Sequence, residues 1–143
     1  EYIINNKILI ILHTKYSKLI EHSIQAKKFS YSPYSKFPVG AALLTSEDKI
    51  YTGTNIECAS YSLCICAERV AFSKAVSEGE KKFKAIAISS GKKTYIPPCG
   101  ACRQFMLEFA KDLDVILVIS KSDFKIKKLS DLIPESFDKN LLK

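Results

Sequence analysis

The feature of this sequence that most constrains its fold is the alternation of short apolar runs with segments of helical periodicity. Short apolar runs are typical of buried strands, and apolar residues spaced three or four apart are typical of one face of a helix. The predicted strands cover residues 39–44, 50–55, 85–88, 115–119 and 124–127. The predicted helices cover residues 14–29, 67–77, 101–111 and 129–133.

The predicted order of elements is α-β-β-α-β-α-β-β-α. Apolar strands separated by helices imply crossover connections, which place helices on the faces of a central sheet. The pattern therefore predicts an α/β fold. A chain of 143 residues fits one domain and no linker divides it, so we expect residues 1–143 to form a single domain.

The charge of the chain is high but diffuse. The formal net charge is +7, and the lysines occur singly or in pairs along the chain. Nucleic-acid-binding proteins usually concentrate their basic residues on one face or segment, so we expect no nucleic-acid partner. The apolar run at residues 8–12 is far shorter than the ~20 residues that span a bilayer, so we expect no membrane partner.

The five cysteines fall in two tight groups, one with Cys58, Cys64 and Cys66 and the other with Cys99 and Cys102. A secreted disulfide framework usually has an even number of cysteines spread along the chain. Grouped cysteines in an intracellular chain more often bind a metal. We therefore expect a cytoplasmic protein with a metal site.

Cys66, Cys99 and Cys102 lie at the starts of two predicted helices. The unpaired N–H groups and positive dipole of a helix N-terminus favour a thiolate, and the spacing of Cys99 and Cys102 places both on one face of the first turn. Three thiolates are an incomplete tetrahedral set for Zn²⁺, which is typical of a catalytic site with one open position. The alternative is a structural site completed by Cys58 or Cys64.

Glu68 follows Cys66 by two residues at a predicted helix start. From there its carboxylate can reach a water on the metal without binding the metal, and it can accept and pass on protons. The alternative is a glutamate stabilised only by the helix dipole. Three thiolates with Zn²⁺ carry a net negative charge, which Arg69 or Arg103 could offset by hydrogen bonding to sulfur. The alternative for each arginine is a surface salt bridge.

At these positions the chain resembles the small homotetrameric zinc-dependent cytidine deaminases. The resemblance covers residues 26–137, and we expect residues 1–13 to be an N-terminal extension outside it. Its motifs read YSKFPVGAA at 34–42, TNIE at 54–57, CAER at 66–69, PCGACRQ at 98–104 and LIPESF at 132–137. The resemblance implies a three-layer α-β-α architecture with a central mixed five-stranded sheet. It also agrees with the ligand-x-Glu and Pro-Cys-x-x-Cys pattern of zinc deaminases.

The resemblance implies a role for each matching residue. Cys66, Cys99 and Cys102 would bind zinc, Glu68 would transfer protons, and Arg69 would support the ligands. The substrate contacts would come from Phe37 on the pyrimidine, the backbone around Ala67 on the base, and Asn55 and Glu57 on the ribose hydroxyls. Tyr61 and Phe137 would reach the site of a neighbouring subunit, so that a homotetramer would share its active sites.

The resemblance also implies the reaction. Free cytidine and deoxycytidine would be hydrolysed to uridine and deoxyuridine in pyrimidine salvage, with Zn²⁺ and no organic cofactor. Within the fold, the alternatives are a blasticidin-type deaminase of a modified cytosine nucleoside and a polynucleotide-editing deaminase. The latter usually has His as its first ligand, where this chain has Cys66. Outside the class, the alternative is a non-catalytic zinc module with four protein ligands.

Three of the proposed substrate contacts also have plainer interpretations. Phe37 and Phe137 could be core aromatics, and Asn55 could be a turn residue. The sequence also departs from the family at two positions, because Cys58 stands where Asn is frequent and Cys64 stands where Gly is common.

Overall fold

The computed structural model describes residues 15–143. The expected extension over residues 1–13 and the start of the first helix lie outside the described residues. The strands are β1 (Val39–Thr45), β2 (Ile50–Thr54), β3 (Phe83–Ser90), β4 (Asp114–Val118) and β5 (Phe124–Lys128). The helices are α1 (residues 15–26), α2 (Ala67–Ser77), α3 (Gly100–Phe109) and α4 (Leu129–Leu132).

All the strands and helices predicted from hydropathy are confirmed, and their described ends agree closely with the predicted ends. Helix α1 ends in a 3₁₀ turn at Lys27–Phe29. Two further 3₁₀ turns, at Tyr61–Leu63 and Lys139–Leu142, were not predicted. A turn of three or four residues is too short to show a hydrophobic period, so the sequence pattern carries no signal for it.

The five strands form one mixed sheet in the order β2-β1-β3-β4-β5. Strand β1 is antiparallel to both β2 and β3, β3 is parallel to β4, and β4 is antiparallel to β5. Helix α1 packs on one face of the sheet, whereas α2, α3 and α4 pack on the other. The expected three-layer α-β-α architecture is therefore confirmed.

Strand β3 shows how the two faces are divided. Ala85 and Ala87 pack toward α1, whereas Ile86 and Ile88 pack toward α2 and α3. This alternation follows from the period of two along a strand. Because both faces are covered by helices, all four side chains are buried, which explains why the run appears continuously apolar in the sequence.

The topology brings the starts of α2 and α3 to the same edge of the sheet. Strands β2 and β3 are both antiparallel to β1, so they run parallel to each other and end at the same edge. Helix α2 follows β2 in the chain, and α3 follows β3. Their N-termini therefore lie near the carboxyl ends of these strands, which is the usual ligand-binding edge of such sheets.

Gly53 in β2 allows α2 to lie directly on the strand. A Cβ atom at this position would be 2.3 Å from the carbonyl oxygen of Ala67 and 2.5 Å from the backbone nitrogen of Ala71. These contacts are with backbone atoms of the helix, which cannot rotate away. The absence of a side chain at Gly53 therefore determines how closely the first turn of α2 approaches the sheet.

Candidate active site

Three cysteine sulfurs meet at the starts of α2 and α3. Cys66 is the N-cap residue of α2, Cys99 is the N-cap residue of α3, and Cys102 lies in the first turn of α3. The Sγ atoms of Cys66 and Cys99 are 3.8 Å apart, and all three sulfurs lie within 4.8 Å of one another. Neither N-cap side chain accepts a capping hydrogen bond, so both sulfurs are available to a metal.

The geometry of this cluster fits a zinc ion. Tetrahedral zinc with Zn–S bonds of about 2.3 Å requires sulfurs about 3.8 Å apart. The measured separation of Cys66 and Cys99 agrees with that requirement. The three residues supply one ligand atom each, so a tetrahedral ion held by them keeps one position open.

The remaining two cysteines lie outside the cluster. Among the residues that the structure describes, the cysteine group able to hold a metal consists of Cys66, Cys99 and Cys102. The Cys64 sulfur instead accepts a hydrogen bond from the Cys58 backbone nitrogen at 3.3 Å and lies 3.7 Å from the Cys58 carbonyl oxygen. This arrangement does not support a zinc module with a fourth cysteine ligand.

The cluster favours a thiolate at Cys66. Hydrogen bonds from the Cys102 thiol and from Arg69 lower the pKa of Cys66 to about 5. The pKa of Cys102 is raised in turn, because its proton is held in the bond to Cys66 and because the side chain is buried. A thiolate is the form that binds metal, so these hydrogen bonds prepare the Cys66 sulfur for an ion.

Arg69 and Arg103, the two arginines next to the cysteines in sequence, have different contacts. Arg69 Nη2 lies 3.7 Å from the Cys66 sulfur, and this contact raises the pKa of Arg69. Arg103 instead donates to the carbonyl oxygens of Pro98, at 2.8 Å, and Leu132, at 2.6 Å. Of the two arginines, Arg69 is therefore placed to offset negative charge at the cysteine sulfurs. The described residues show neither arginine in a salt bridge with a carboxylate.

Glu68 lies in the first turn of α2 and is only 4% exposed. Burial raises the pKa of its carboxyl group to about 7, and the adjacent Cys66 thiolate contributes to the increase. A carboxyl group with this pKa exchanges protons readily near neutral pH. Glu68 can therefore act as an acid and as a base at the same site.

A cavity of about 340 Å³ opens above the cysteine cluster. We call it the main cavity. The predicted site residues among those that line it are Phe37, Asn55, Glu57, Cys66, Ala67, Glu68 and Cys99. Sequence reasoning did not find the other lining residues, which are Ser35, Val39, Ile88, Ile96 and Pro97. Ser35 and Val39 lie inside the YSKFPVGAA motif, and Ile96 and Pro97 directly precede the PCGACRQ motif, so the sequence signal for these four residues is their proximity to a motif.

Asn55 and Glu57 are held by the loop that carries Phe37. The Asn55 side-chain nitrogen donates to the Phe37 carbonyl oxygen at 2.8 Å, and its oxygen accepts from Val39 N at 2.9 Å and from Ser30 Oγ at 2.5 Å. Asn55 therefore supports the wall of the main cavity as well as lining it.

The carboxylate of Glu57 is fixed in a similar way. One oxygen accepts from the backbone nitrogens of Tyr34, at 3.0 Å, and Ser35, at 3.2 Å, and the other accepts from the Ser35 hydroxyl. These hydrogen bonds, chiefly the one from the Ser35 hydroxyl, lower the pKa of Glu57. The group therefore remains a charged acceptor at neutral pH.

Tyr61 and Phe137 are not part of the main cavity. Tyr61 is 71% exposed, and its ring centroid is 5.7 Å from that of Tyr34 beside a smaller cavity of about 260 Å³. Phe137 is 60% exposed, and its carbonyl oxygen accepts a hydrogen bond from Gln104 at 2.8 Å. The structure thus brings the other predicted residues together but leaves these two rings at the surface of the chain.

The fold and the site together define a class of protein. A buried glutamate lies beside three cysteines that can hold a metal, near the carboxyl ends of strands in the central sheet of a three-layer α-β-α fold. This combination is that of a zinc-dependent α/β enzyme. The part of the chain that the structure describes contains no helix long and apolar enough to cross a membrane.

Residues 13–118 match the family described as the cytidine and deoxycytidylate deaminase zinc-binding region. The chain therefore belongs to the cytidine and deoxycytidylate deaminase family, as its motifs indicated.

Relatives of known sequence cover most of the chain. A cytidine deaminase of Sporosarcina psychrophila is 47% identical over 123 residues, which are 85% of this chain and 90% of the relative. A probable cytidine deaminase of Dictyostelium discoideum is 52% identical over 110 residues, which are 76% of this chain and 74% of the relative.

A solved structure shows the same fold. The crystal structure of cytidine deaminase from Burkholderia pseudomallei matches with a TM-score of 0.80 and 44% identity, covering 84% of this chain and 97% of that chain. The match covers most of both chains, so it supports the fold as well as the family.

We expect the purified protein to contain about one zinc ion per chain, bound by three cysteines. Replacing Cys99 by serine should remove most of the zinc, because a hydroxyl group does not provide a thiolate. The matched control is Cys64→Ser, which lies outside the cluster and should retain the metal. Elemental analysis after desalting measures both. Equal loss of zinc from the two variants would show that Cys64 is a ligand.

Proposed function

We propose that this protein hydrolyses the exocyclic amino group of free cytidine and deoxycytidine, giving uridine or deoxyuridine and ammonia. The observation that carries the proposal is the burial of Glu68 beside the cysteine cluster, where it lines the main cavity. Membership of the deaminase family and the similarity to cytidine deaminases over most of the chain support the same reaction.

Cys66, Cys99 and Cys102 would hold the zinc ion. When bound, zinc supplies Lewis acidity, which lowers the pKa of a water molecule toward neutrality. Arg69 limits the negative charge that the cysteines donate, because its guanidinium group faces the Cys66 sulfur.

Glu68 carries the protons between water and the base. It accepts a proton from the attacking water and delivers it to ring nitrogen N3 as a C–O bond forms at C4. It then takes the remaining hydroxyl proton and delivers it to the leaving amine, so that the C–N bond breaks and ammonia departs. Glu68 ends the cycle ionised, as it began.

Replacing Glu68 by glutamine should abolish turnover while leaving the fold and the zinc content intact. The amide has almost the same shape but cannot transfer protons, so we expect the rate to fall by more than about 10³-fold. The loss of cytidine absorbance measures turnover, and elemental analysis measures zinc. Retention of most of the wild-type rate by a zinc-loaded variant would remove Glu68 from the mechanism.

The hydrogen bonds of Asn55 and Glu57 support recognition of a single sugar hydroxyl. Protein groups already occupy both acceptor positions of the Asn55 oxygen and one of its two N–H donors. The Glu57 carboxylate accepts three hydrogen bonds and has about one acceptor position left. One donor and one acceptor match one hydroxyl, which would accept from Asn55 and donate to Glu57.

The remaining contacts concern the base. We propose that the Phe37 ring packs against the pyrimidine face and that the first-turn backbone at Ala67 reads its polar edge. Both residues line the main cavity together with Glu68 and the proposed sugar-binding pair. Aromatic rings bind flat bases through their faces, and unpaired backbone groups at a helix start are available to a ligand.

Cytidine and deoxycytidine should both be substrates with KM values that differ by less than about tenfold. They share the 3′-hydroxyl, and the site has capacity for one hydroxyl. A 2′,3′-dideoxy analogue, which lacks both hydroxyls, should bind much more weakly because Glu57 is left unpaired. Product analysis by chromatography compares these nucleosides with blasticidin S and a cytosine-containing oligonucleotide. Faster turnover of either of the latter two would overturn the assignment to free, unmodified nucleosides.

We also infer that the protein is a homotetramer with active sites shared between subunits. Several large apolar side chains are exposed, and backbone β-bridges pair Tyr31 with Ile56 and Ile56 with Ile65, so three of them lie on neighbouring segments. Exposed apolar patches commonly form interfaces. A second copy of the chain could bury these side chains and insert Tyr61 and Phe137 into a neighbouring site, and closed symmetry is usual for such assemblies.

Light scattering coupled to gel filtration should report the mass of a tetramer at micromolar protein concentration. Phe137→Ala should raise the KM for cytidine, because the ring would no longer cover the neighbouring site. The control is Leu142→Ala, another exposed apolar residue near the end of the chain. A fully active monomer, or unchanged kinetics in Phe137→Ala, would contradict the shared site.

We further propose a cytoplasmic role in pyrimidine salvage. The five cysteines are free thiols in the structure, and ligand cysteines must stay reduced to bind a metal. A reducing compartment preserves them, and free nucleosides are available there for recovery.

A further inference from the structure

The loop between β3 and α3 forms one wall of the main cavity through Ile96 and Pro97. In the described part of the chain, residues 92–98 form no backbone–backbone hydrogen bond. Two of these residues are prolines, Pro97 and Pro98, which have no N–H to donate. The position of the wall therefore depends on side-chain contacts on either side of it.

The first contact precedes the wall. The Tyr95 hydroxyl donates a hydrogen bond to the carboxylate of Asp123, and the Lys125 ammonium lies 4.4 Å from the centre of the Tyr95 ring. Both partners belong to the β4–β5 hairpin, on the far side of α3 in sequence. Tyr95 thus connects the loop to a separate part of the sheet.

Hydrogen bonds hold the hairpin turn that carries Asp123. The backbone nitrogens of Ile119 and Ser120 donate to the Asp123 carbonyl oxygen at 2.9 and 3.0 Å. The Asp123 nitrogen lies 3.1 Å from the Ser120 hydroxyl oxygen, which accepts its hydrogen bond. The turn can therefore serve as a fixed attachment point for Tyr95.

The second contact follows the wall. Arg103 in α3 donates to the carbonyl oxygen of Pro98 at 2.8 Å. Ile96 and Pro97 consequently lie between two side-chain anchors, at Tyr95 and at Pro98. Tyr95 itself is absent from the lining of the main cavity.

We propose that Tyr95 is a positioning residue for substrate binding, because its hydrogen bond to Asp123 holds the Ile96–Pro97 wall at the spacing that admits a pyrimidine nucleoside. The inference rests on the proposed function. Tyr95 would act by fixing the position of the Ile96–Pro97 wall and would not itself contact the substrate. The hydrogen bond and the cation–π contact of Tyr95 involve neither Glu68 nor the cysteines, so loss of the hydrogen bond should affect the affinity for the nucleoside and leave proton transfer unchanged.

The test compares variants that remove or keep this hydrogen bond. Tyr95→Phe deletes the hydroxyl and keeps the ring beneath Lys125. We expect the KM for cytidine to rise about three- to tenfold, which corresponds to the loss of one hydrogen bond, while kcat changes less than about twofold. Zinc content should remain that of the wild type.

Variants of the acceptor distinguish positioning from general destabilisation. Asp123→Ala should reproduce the kinetics of Tyr95→Phe, whereas Asp123→Asn keeps an acceptor oxygen and should restore KM to within about twofold of wild type. The matched control is Tyr51→Phe, because Tyr51 contacts the Glu80 carboxylate at 3.5 Å and does not line the main cavity. Its KM should not change.

Hydrogen exchange measured by mass spectrometry supplies a readout that needs no substrate. In Tyr95→Phe the amides of Gly91 and Lys92, which donate to the Pro38 carbonyl oxygen and the Ser90 hydroxyl oxygen, should exchange faster, while those of α2 remain as in the wild type. Unchanged exchange in the loop, or unchanged KM despite faster exchange, would overturn the proposal. If the wild-type protein did not deaminate cytidine, the proposed function would fail, and the exchange comparison would still decide whether Tyr95 anchors the wall.

Discussion

The close approach of two helix N-termini is the constraint on which the active site depends. Cys66 begins α2 and Cys99 begins α3, and their sulfurs must lie at the edge length of a zinc tetrahedron. The antiparallel pairing of β1 with both β2 and β3 brings the helix starts to one edge of the sheet. Gly53 then allows α2 to rest on the backbone of β2. The sheet topology and the absence of a side chain at Gly53 thus determine the geometry of the cluster.

Burial and hydrogen bonding set the pKa values of the groups in and beside the cysteine cluster. Glu68 is removed from water, which raises its pKa to about 7, whereas hydrogen bonds from Cys102 and Arg69 lower the pKa of Cys66 to about 5. Two acidic groups two positions apart therefore have opposite tendencies, one to hold a proton and the other to release it. This separation suits one group to proton transfer and the other to metal binding.

The part of the main cavity that we assign to the substrate is lined by loops that are joined by hydrogen bonds. Asn55 joins the backbone at Phe37 and Val39, and Glu57 is held by the backbone and hydroxyl of Ser35. The polar groups that we assign to the sugar are thus also the supports of the wall that we assign to the base. Such preorganisation lowers the entropy lost when a ligand binds.

The sequence by itself determined the order of the elements and the family, and it identified the three cysteines and Glu68 as candidates for the site. Strand and helix periods are local, and the metal motifs are short and contiguous, so both are visible without tertiary structure. Only the tertiary structure decided that Arg69 rather than Arg103 faces the Cys66 sulfur, and that the Cys64 sulfur forms a hydrogen bond with the Cys58 backbone. It also showed that Ile96 and Pro97 form a cavity wall. These outcomes depend on the direction of side chains and on contacts between distant segments, which sequence spacing does not encode.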